Sequence, residues 1–325
     1  MSKKILIGVM LFMPFLGMAQ TDIDAIMMEK NAFCVGPGYS YSSWKNYWEG
    51  RLKRDNENLG TVSTQMFNVM GTYGVTKRLN LLFNVPYVKT KASAGTLHEQ
   101  KGIQDLSLFV KYVPLRKKVG NGILTLFTIG GLSTPLTNYV ADYLPLSIGM
   151  RSTNLLARGM ADYQVNNFFV TGSATYVFRS NIKIDRTAYY TTEMHLSNEV
   201  DMPDMTTFNL RAGYRTYHLI AEAIINKMTT LGGFDMTRNN MPFPSNRMNA
   251  TTAGINIKYT PAFFPRLSLV AGGSYVIDGR NFKIDGVEVL VPRNVGQALT
   301  IDGALFYVLD FSRKSKKDTN NNQTK

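Results

Sequence analysis

Short runs in which apolar and polar side chains alternate recur along almost the whole chain, and this alternation limits the fold more than any other feature. Successive side chains of a β-strand point to opposite faces, so a period of two gives a strand with one apolar and one polar face. Most runs are about 9–11 residues long, the length with which a tilted strand crosses a bilayer. Twelve such runs occupy residues 33–42, 65–75, 79–87, 103–113, 122–131, 151–163, 167–179, 206–215, 219–226, 251–260, 267–277 and 299–311.

The connections between the runs have their own rhythm. In residues 206–215, for example, Phe208 and Leu210 alternate with Asn209 and Arg211, and a very short link near residue 216 follows. Short links also fall near 76–78, 114–121, 164–166 and 261–265, and long links at 43–60, 91–101, 132–150, 180–205, 228–248 and 278–297. Short periplasmic turns that alternate with long extracellular loops are typical of outer-membrane barrels. The sequence therefore predicts an all-β fold, a transmembrane antiparallel β-barrel of about 12 strands with both chain ends at the periplasmic side.

Composition agrees with a barrel in the outer membrane of a Gram-negative bacterium. The 325 residues include 17 Tyr and 18 Phe, while Asp, Glu, Lys and Arg together reach only 18%. Soluble domains usually carry about 25% charged residues. After the first twenty residues no apolar stretch is long enough for a transmembrane helix, which needs about 18 residues or more. The one cysteine, Cys34, cannot form an internal disulfide and is interpreted as a small packing residue.

The two ends of the chain differ from the barrel region. Residues 1–19 have a basic start, Lys3 and Lys4, then an apolar stretch over 5–16 and small residues at positions 17 and 19, the layout of a secretory signal peptide. We expect residues 20–32 to form a short N-terminal segment with one or two helical turns, either hanging in the periplasm or plugging the lumen. The barrel would occupy 33–311, and residues 312–325 would be a disordered polar tail.

Charged residues on the polar faces are the candidates for a functional site. An Arg or Lys that faces lipid at the middle of the membrane costs about 2–4 kcal/mol, so these residues must face the lumen. The inward set includes Asp302 and Asp310 besides the nine residues that we take as lumen or solute-binding candidates. Those nine are Asp105, Lys111, Arg158, Asp162, Arg179, Arg211, Arg215, Glu222 and Lys258. They could pair with one another in a filled barrel core, or they could line a narrow polar passage or binding cavity.

Other kinds of chemistry have little support in the sequence. It contains no phosphate-binding loop, zinc spacing or dinucleotide motif, so we expect no cofactor and no metal. His98, His195 and His218 fall in separate loops or at a turn, where we interpret them as solvated, and no catalytic constellation accompanies them. We therefore expect no enzyme activity. Export and burial in a membrane also exclude nucleic acid as a partner for the basic excess of 36 to 23.

One stretch of the chain resembles a known family. Residues 73–95 and 102–115 contain a Tyr-Gly strand end, a strand that closes on Pro-Tyr, and a Gly-x-x-Asp strand start, carried by Tyr73, Gly74, Pro86, Tyr87, Gly102 and Asp105. This pattern resembles the outer-membrane barrels of the MetA-pathway of phenol degradation family, although Gln104 stands where that family more often has glycine. The resemblance implies a passive transporter for small hydrophobic or aromatic organic molecules, distantly like the long-chain fatty-acid transporter barrels.

Two further features concern partners. The final strand ends on Phe311, which resembles the aromatic-ended strands that outer-membrane assembly machinery recognises. Besides that machinery and the small organic solutes, we expect outer-membrane lipid as a partner. The long loops at 180–205 and 228–248 leave a second function open, a closed structural or adhesion barrel that binds partners through its extracellular loops.

Overall fold

The protein is a closed antiparallel barrel of twelve strands, seen in a computed structural model that describes residues 21–49, 52–234, 242–279, 282–284, 287–289 and 299–311. The predicted signal peptide at 1–19 and the predicted tail at 312–325 lie outside the described residues. The barrel strands are β1 Ala32–Trp44, β2 Val62–Thr76, β3 Leu79–Ala92, β4 Asp105–Val119, β5 Gly122–Pro135, β6 Asn154–Val165, β7 Phe168–Arg179, β8 Asp204–Arg215, β9 Leu219–Leu231, β10 Asn249–Tyr259, β11 Leu267–Gly279 and β12 Leu299–Asp310.

Each strand pairs with its neighbours along the chain, and β1 closes the ring by pairing with both β2 and β12. The two ends of the barrel meet, since the backbone N–H of Phe311 donates to the carbonyl of Asn31 at 2.9 Å. Closure leaves no unpaired strand edge, which a lipid environment requires because it offers no hydrogen-bond partners. The predicted fold class and strand number are confirmed.

Short additional strands lie at the loop end of the barrel. The short strand Gln100–Ile103 pairs with the part of β3 nearest the loops. It lies on the same side of β3 as β4, and only Gln104 separates it from β4. Within the long loops, Asn46–Glu49 pairs with Leu52–Asp55, Ile182–Lys183 with Glu199–Val200, Tyr189–Tyr190 with Met194–His195, and Phe282–Ile284 with Val287–Val289. In the described residues no helix is long and apolar enough to cross a membrane.

The alternation of side chains gives the barrel its two faces as predicted. Phe208 and Ile255, which lie on the apolar faces of their strands, are 59% and 63% exposed, whereas the inward Arg211 and Glu222 are buried. A continuous apolar exterior in a closed barrel is the surface that a bilayer accommodates, so the barrel is an outer-membrane protein. Cys34 is buried beside Met28, Ala32, Phe306 and Val308, which confirms its packing role.

The predicted short link at 114–121 is shorter than expected. β4 runs on to Val119, and only Gly120 and Asn121 separate it from β5. The pairing with β5 shifts register between Tyr112 and Leu115, where Pro114 cannot donate a backbone hydrogen bond. The tight turn is possible because Gly120 adopts a positive φ of 57°.

The N-terminal segment, residues 21–31, lies inside the barrel near the short-turn end. Ile26 packs with Phe169 of β7 and Ile220 of β9, and Met27 packs against a cluster of buried side chains from β4, β5 and β6. Met28 joins the cluster around Cys34. The expected helical turns are absent from residues 21–31, which form bends instead, and Asp24 fixes the bends by accepting hydrogen bonds from the backbone N–H groups of Thr21 and Ile26.

Candidate functional site

Two candidate cations hold the N-terminal segment in the lumen. Lys111 of β4 is fully buried, and its Nζ lies 3.1 Å from both Asp24 Oδ1 and the carbonyl oxygen of Thr21. Arg158 of β6 donates from Nη1 to Asp22 Oδ2 at 2.8 Å and from Nε to Thr175 Oγ1 at 2.7 Å. Two acidic residues of the segment thus neutralise two cations of the wall, and β4 to β7 face the segment rather than open space.

A second pair of candidates spans three strands. Arg215 of β8 donates to both carboxylate oxygens of Asp162 of β6, from Nη1 and Nη2, each at 3.1 Å. The guanidinium carbon lies 3.7 Å from the centre of the Phe169 ring on the intervening strand, and Thr171 of that strand donates to Asp162. A planar guanidinium that binds a carboxylate with two hydrogen bonds is well suited to a dry position.

The third pair begins a row of polar contacts. Arg211 of β8 donates from Nη1 to Glu222 Oε1 of β9 at 2.7 Å, and both side chains are almost completely buried. Asn256 of β10 donates from Nδ2 to the same Oε1 at 3.0 Å, and Arg211 Nε donates to Asn209 Oδ1 at 3.0 Å. Glu222 is therefore fully compensated by an arginine and an amide.

The remaining strand-end candidates connect the wall to the extracellular loops. Tyr139, in the loop after β5, donates to Asp105 Oδ1 at 2.5 Å and accepts from the backbone N–H of Arg151 at 2.9 Å. Burial and the hydrogen bond to Asp105 raise the pKa of Tyr139 above its ordinary value. Arg179 donates from Nη1 to the carbonyl oxygen of Pro203 at 3.3 Å. These two candidates lie at the rim and fix loops.

A cavity of about 460 Å³ occupies the part of the lumen beside β1, β2 and β8 to β12, next to the N-terminal segment. Its wall comes from β1, β2 and β8 to β12, and the N-terminal segment supplies one side. Four of the nine candidates line it: Arg211, Arg215, Glu222 and the buried Lys258. The other five, Asp105, Lys111, Arg158, Asp162 and Arg179, do not. The volume lies in the range of small-molecule sites, about 300–1,000 Å³.

Sequence reasoning missed most of what shapes this cavity. Apolar side chains cover much of its wall, among them Met66, Met70, Ile224, Val270 and Phe306. Ile224 and Val270 occupy inward positions of their strands, but charge alone does not identify them because their side chains are apolar. The signal that could have found the N-terminal contacts is the pair Asp22 and Asp24, two acidic residues directly before a barrel with inward cations.

The histidines carry no catalytic arrangement in the described part of the chain. His98 and His218 are exposed, and His195 stacks on Tyr189 with its Nε2 2.8 Å from Thr191 Oγ1. The described residues contain no group of three His, Cys, Asp or Glu side chains that could hold a metal ion.

Comparison with known proteins concerns the fold. No protein-family model matches the sequence, and no curated protein matches it significantly. Among solved structures, the barrel is similar to the COG4313 outer membrane channel from Pseudomonas putida F1, with a TM-score of 0.65, 14% identity, and coverage of 90% of this chain and 100% of that one. It also matches the NanC porin at a TM-score of 0.44 and 8% identity, covering 85% of this chain and 98% of that one.

A TodX monoaromatic hydrocarbon channel mutant matches at a TM-score of 0.44 and 9% identity, with coverage of 87% of this chain and 91% of that one. The similarity to the Pseudomonas putida channel extends over nine-tenths of the chain and includes the whole of the other barrel. It therefore shows that the chain has the fold of an outer-membrane β-barrel.

Proposed function

We propose that this barrel is a passive channel that brings small hydrophobic or aromatic organic molecules across the outer membrane. The observation that carries the proposal is the lumen cavity of about 460 Å³, whose wall combines apolar side chains such as Ile224, Val270 and Phe306 with polar and charged ones. Such a composition is typical of sites for small organic ligands, in which apolar surface supplies affinity and polar groups fix orientation. The resemblance of residues 73–115 to transporter barrels for aromatic compounds supports the same solute class.

The N-terminal segment determines how such a channel works. Residues 21–31 fill the β4 to β7 side of the lumen, so a solute meets a binding cavity rather than a wide aqueous pore. Burial of apolar solute surface contributes about 25 cal/mol per Å². Binding in the cavity would therefore select apolar solutes, and passage would follow the concentration gradient without chemistry. The proposed function involves no enzymatic step, cofactor or metal.

The test is solute uptake by cells that make the barrel. We expect these cells to take up 2-phenylethanol faster than cells without the barrel. Ile224→Trp places a bulky side chain in the cavity and should bring uptake towards the level of cells without the barrel. Ile225→Trp is the matched control, because Ile225 faces lipid and is 50% exposed. A wild-type barrel that carries no ion current in planar bilayers and gives no increase in uptake would contradict the proposal.

A further inference from the structure

One charged side chain of the cavity differs from all the others. Asp302 of β12 points into the lumen, lines the cavity and is half-buried, and within the described residues it has no hydrogen-bond or ion-pair partner. Glu222 and Asp24, which line the same cavity, are paired with Arg211 and Lys111. A carboxylate that is partly removed from water without a partner is unfavourable, so the cavity is incomplete at this point.

Asp302 borders a small space together with two other acceptor oxygens, and the residue that pairs with it on β1 is Ser40. The neighbouring position on β11 is Gly272, and a Cβ placed there would lie 2.9 Å from Asp302 Oδ2, 3.2 Å from Asn256 Oδ1 and 3.1 Å from the carbonyl oxygen of Ile255. Because Gly272 has no side chain, these three oxygens border a small space that opens on the cavity. Any larger residue at 272 would occupy that space.

The orientation of Asn256 follows from its other contact. Its amide nitrogen donates to Glu222, a carboxylate that can only accept, so the nitrogen must face Glu222. The amide oxygen is thereby turned towards Gly272 and Asp302. The row that starts at Arg211 and continues through Glu222 and Asn256 thus ends at the side-chain oxygens of Asn256 and Asp302, for which the described residues supply no donor.

We propose that Asp302 and Asn256 bind the ammonium group of an amphipathic organic amine whose apolar part occupies the cavity. This inference rests on the proposed function and names a solute class for it. A primary ammonium group carries three donors and a positive charge, which matches two or three acceptor oxygens of which one belongs to a carboxylate. Val270, Ala304 and Phe306 line the same cavity and would contact the hydrocarbon or aromatic part. A solute carboxylate would be repelled by Asp302.

The test compares 2-phenylethylamine with 2-phenylethanol, which share one carbon skeleton. The amine is protonated at pH 7, as lysine is. We expect Asp302→Asn, which keeps the shape of the side chain, to lower barrel-dependent uptake of the amine by about tenfold, the size expected for loss of one charge-assisted hydrogen bond. Uptake of the alcohol should be unchanged. Ile301→Val is the matched control, since Ile301 precedes Asp302 on β12 but lies on the outer face of the barrel with 55% exposure, and it should alter neither rate.

A second variant keeps the proposal testable if Asp302→Asn fails to assemble. Gly272→Ala leaves every charge in place but puts a methyl group into the space between the oxygens, so it should also reduce uptake of the amine selectively. Both variants should show the heat-modifiable gel migration of the wild-type barrel. An equal fall for the amine and the alcohol, or unchanged amine uptake in Asp302→Asn, would overturn the ammonium site. A wild-type barrel that passes neither solute would instead contradict the proposed function.

Discussion

The strongest prediction concerns the contact between Asp24 and Lys111, which we expect to keep the N-terminal segment in the lumen. Lys111 is 0% exposed and Asp24 is 15% exposed, whereas Arg158 and Asp22 are 8% and 27% exposed. Removing one partner of a buried ion pair costs about 3–5 kcal/mol. We take about 3 kcal/mol for Asp24→Asn, because backbone carbonyls still accept from Lys111 Nζ.

A loss of about 3 kcal/mol in the free energy that holds the N-terminal segment in the lumen raises the population of barrels with a displaced segment roughly a hundredfold. Asp22→Asn should have a smaller effect, about 1 kcal/mol or roughly fivefold, because Asp22 is more exposed to water. Single-channel recordings in planar bilayers measure this directly as the fraction of time spent at higher conductance. This fraction should be largest for Asp24→Asn, intermediate for Asp22→Asn and smallest for the wild type.

The control removes both charges. Replacing both members of a buried pair with groups of similar size is often neutral, so Lys111→Met combined with Asp24→Asn should restore a conductance close to that of the wild type. If Asp24→Asn gives wild-type conductance and wild-type thermal stability, these ion pairs do not hold the segment and the reasoning is refuted.

Three other predictions address the wall and the loops. Ile225→Arg places a charge in lipid at the centre of β9 and should lower the stability of the assembled barrel by about 2–4 kcal/mol, whereas Ile224→Arg should have a smaller effect because it faces the cavity. Equal amounts of both variants in the outer membrane would show that these faces are wrongly assigned. Arg211→Gln should lower the temperature of heat modification, since it leaves Glu222 buried without its cation at a cost of about 3–5 kcal/mol; an unchanged transition would mean that this pair adds no stability. Tyr139→Phe should make the loop at 136–153 more sensitive to protease, and cleavage at the wild-type rate would argue against the contact with Asp105. Because the pKa of Tyr139 is raised, its hydrogen bond to Asp105 in the wild-type protein should persist up to a pH above the ordinary value of 10.0.

The faces of the barrel could be predicted from the sequence because lipid imposes a strict rule. Every backbone group must be paired and every outward side chain must tolerate hydrocarbon, so the alternation and the link lengths together predict the strands and the face on which each side chain lies. The alternation shows on which face of the strand a side chain lies, but it does not show how deeply that side chain is buried. Thr175 and Ser268 both lie on the polar faces of their strands, yet both are buried against neighbours rather than exposed to an open passage. How full a lumen is depends on contacts between distant parts of the chain.

The candidate site was predictable only in part for the same reason. Each inward cation could be identified from its own strand, but its partner lies on another strand, as for Arg211 and Glu222, or outside the barrel strands, as for Lys111 and Asp24. The open alternatives of a packed core and a polar cavity turn out to divide the lumen between them. The N-terminal segment and its ion pairs with Lys111 and Arg158 occupy the β4 to β7 side. The cavity lies on the other side, and the Arg211–Glu222 pair forms part of its wall.

The pairing of the inward charges changes the argument about solute selection. The chain has more basic than acidic residues, 36 to 23, and an unpaired group of inward arginines would favour anions. In the structure Arg158, Arg211 and Arg215 each bind a carboxylate. Their fields are therefore largely cancelled where a solute would bind, because a neutralised pair acts on a third charge only as a dipole. The carboxylate of Asp302 has no such compensation in the described residues, so we expect a local preference for a cation at this point of the cavity despite the basic character of the whole chain.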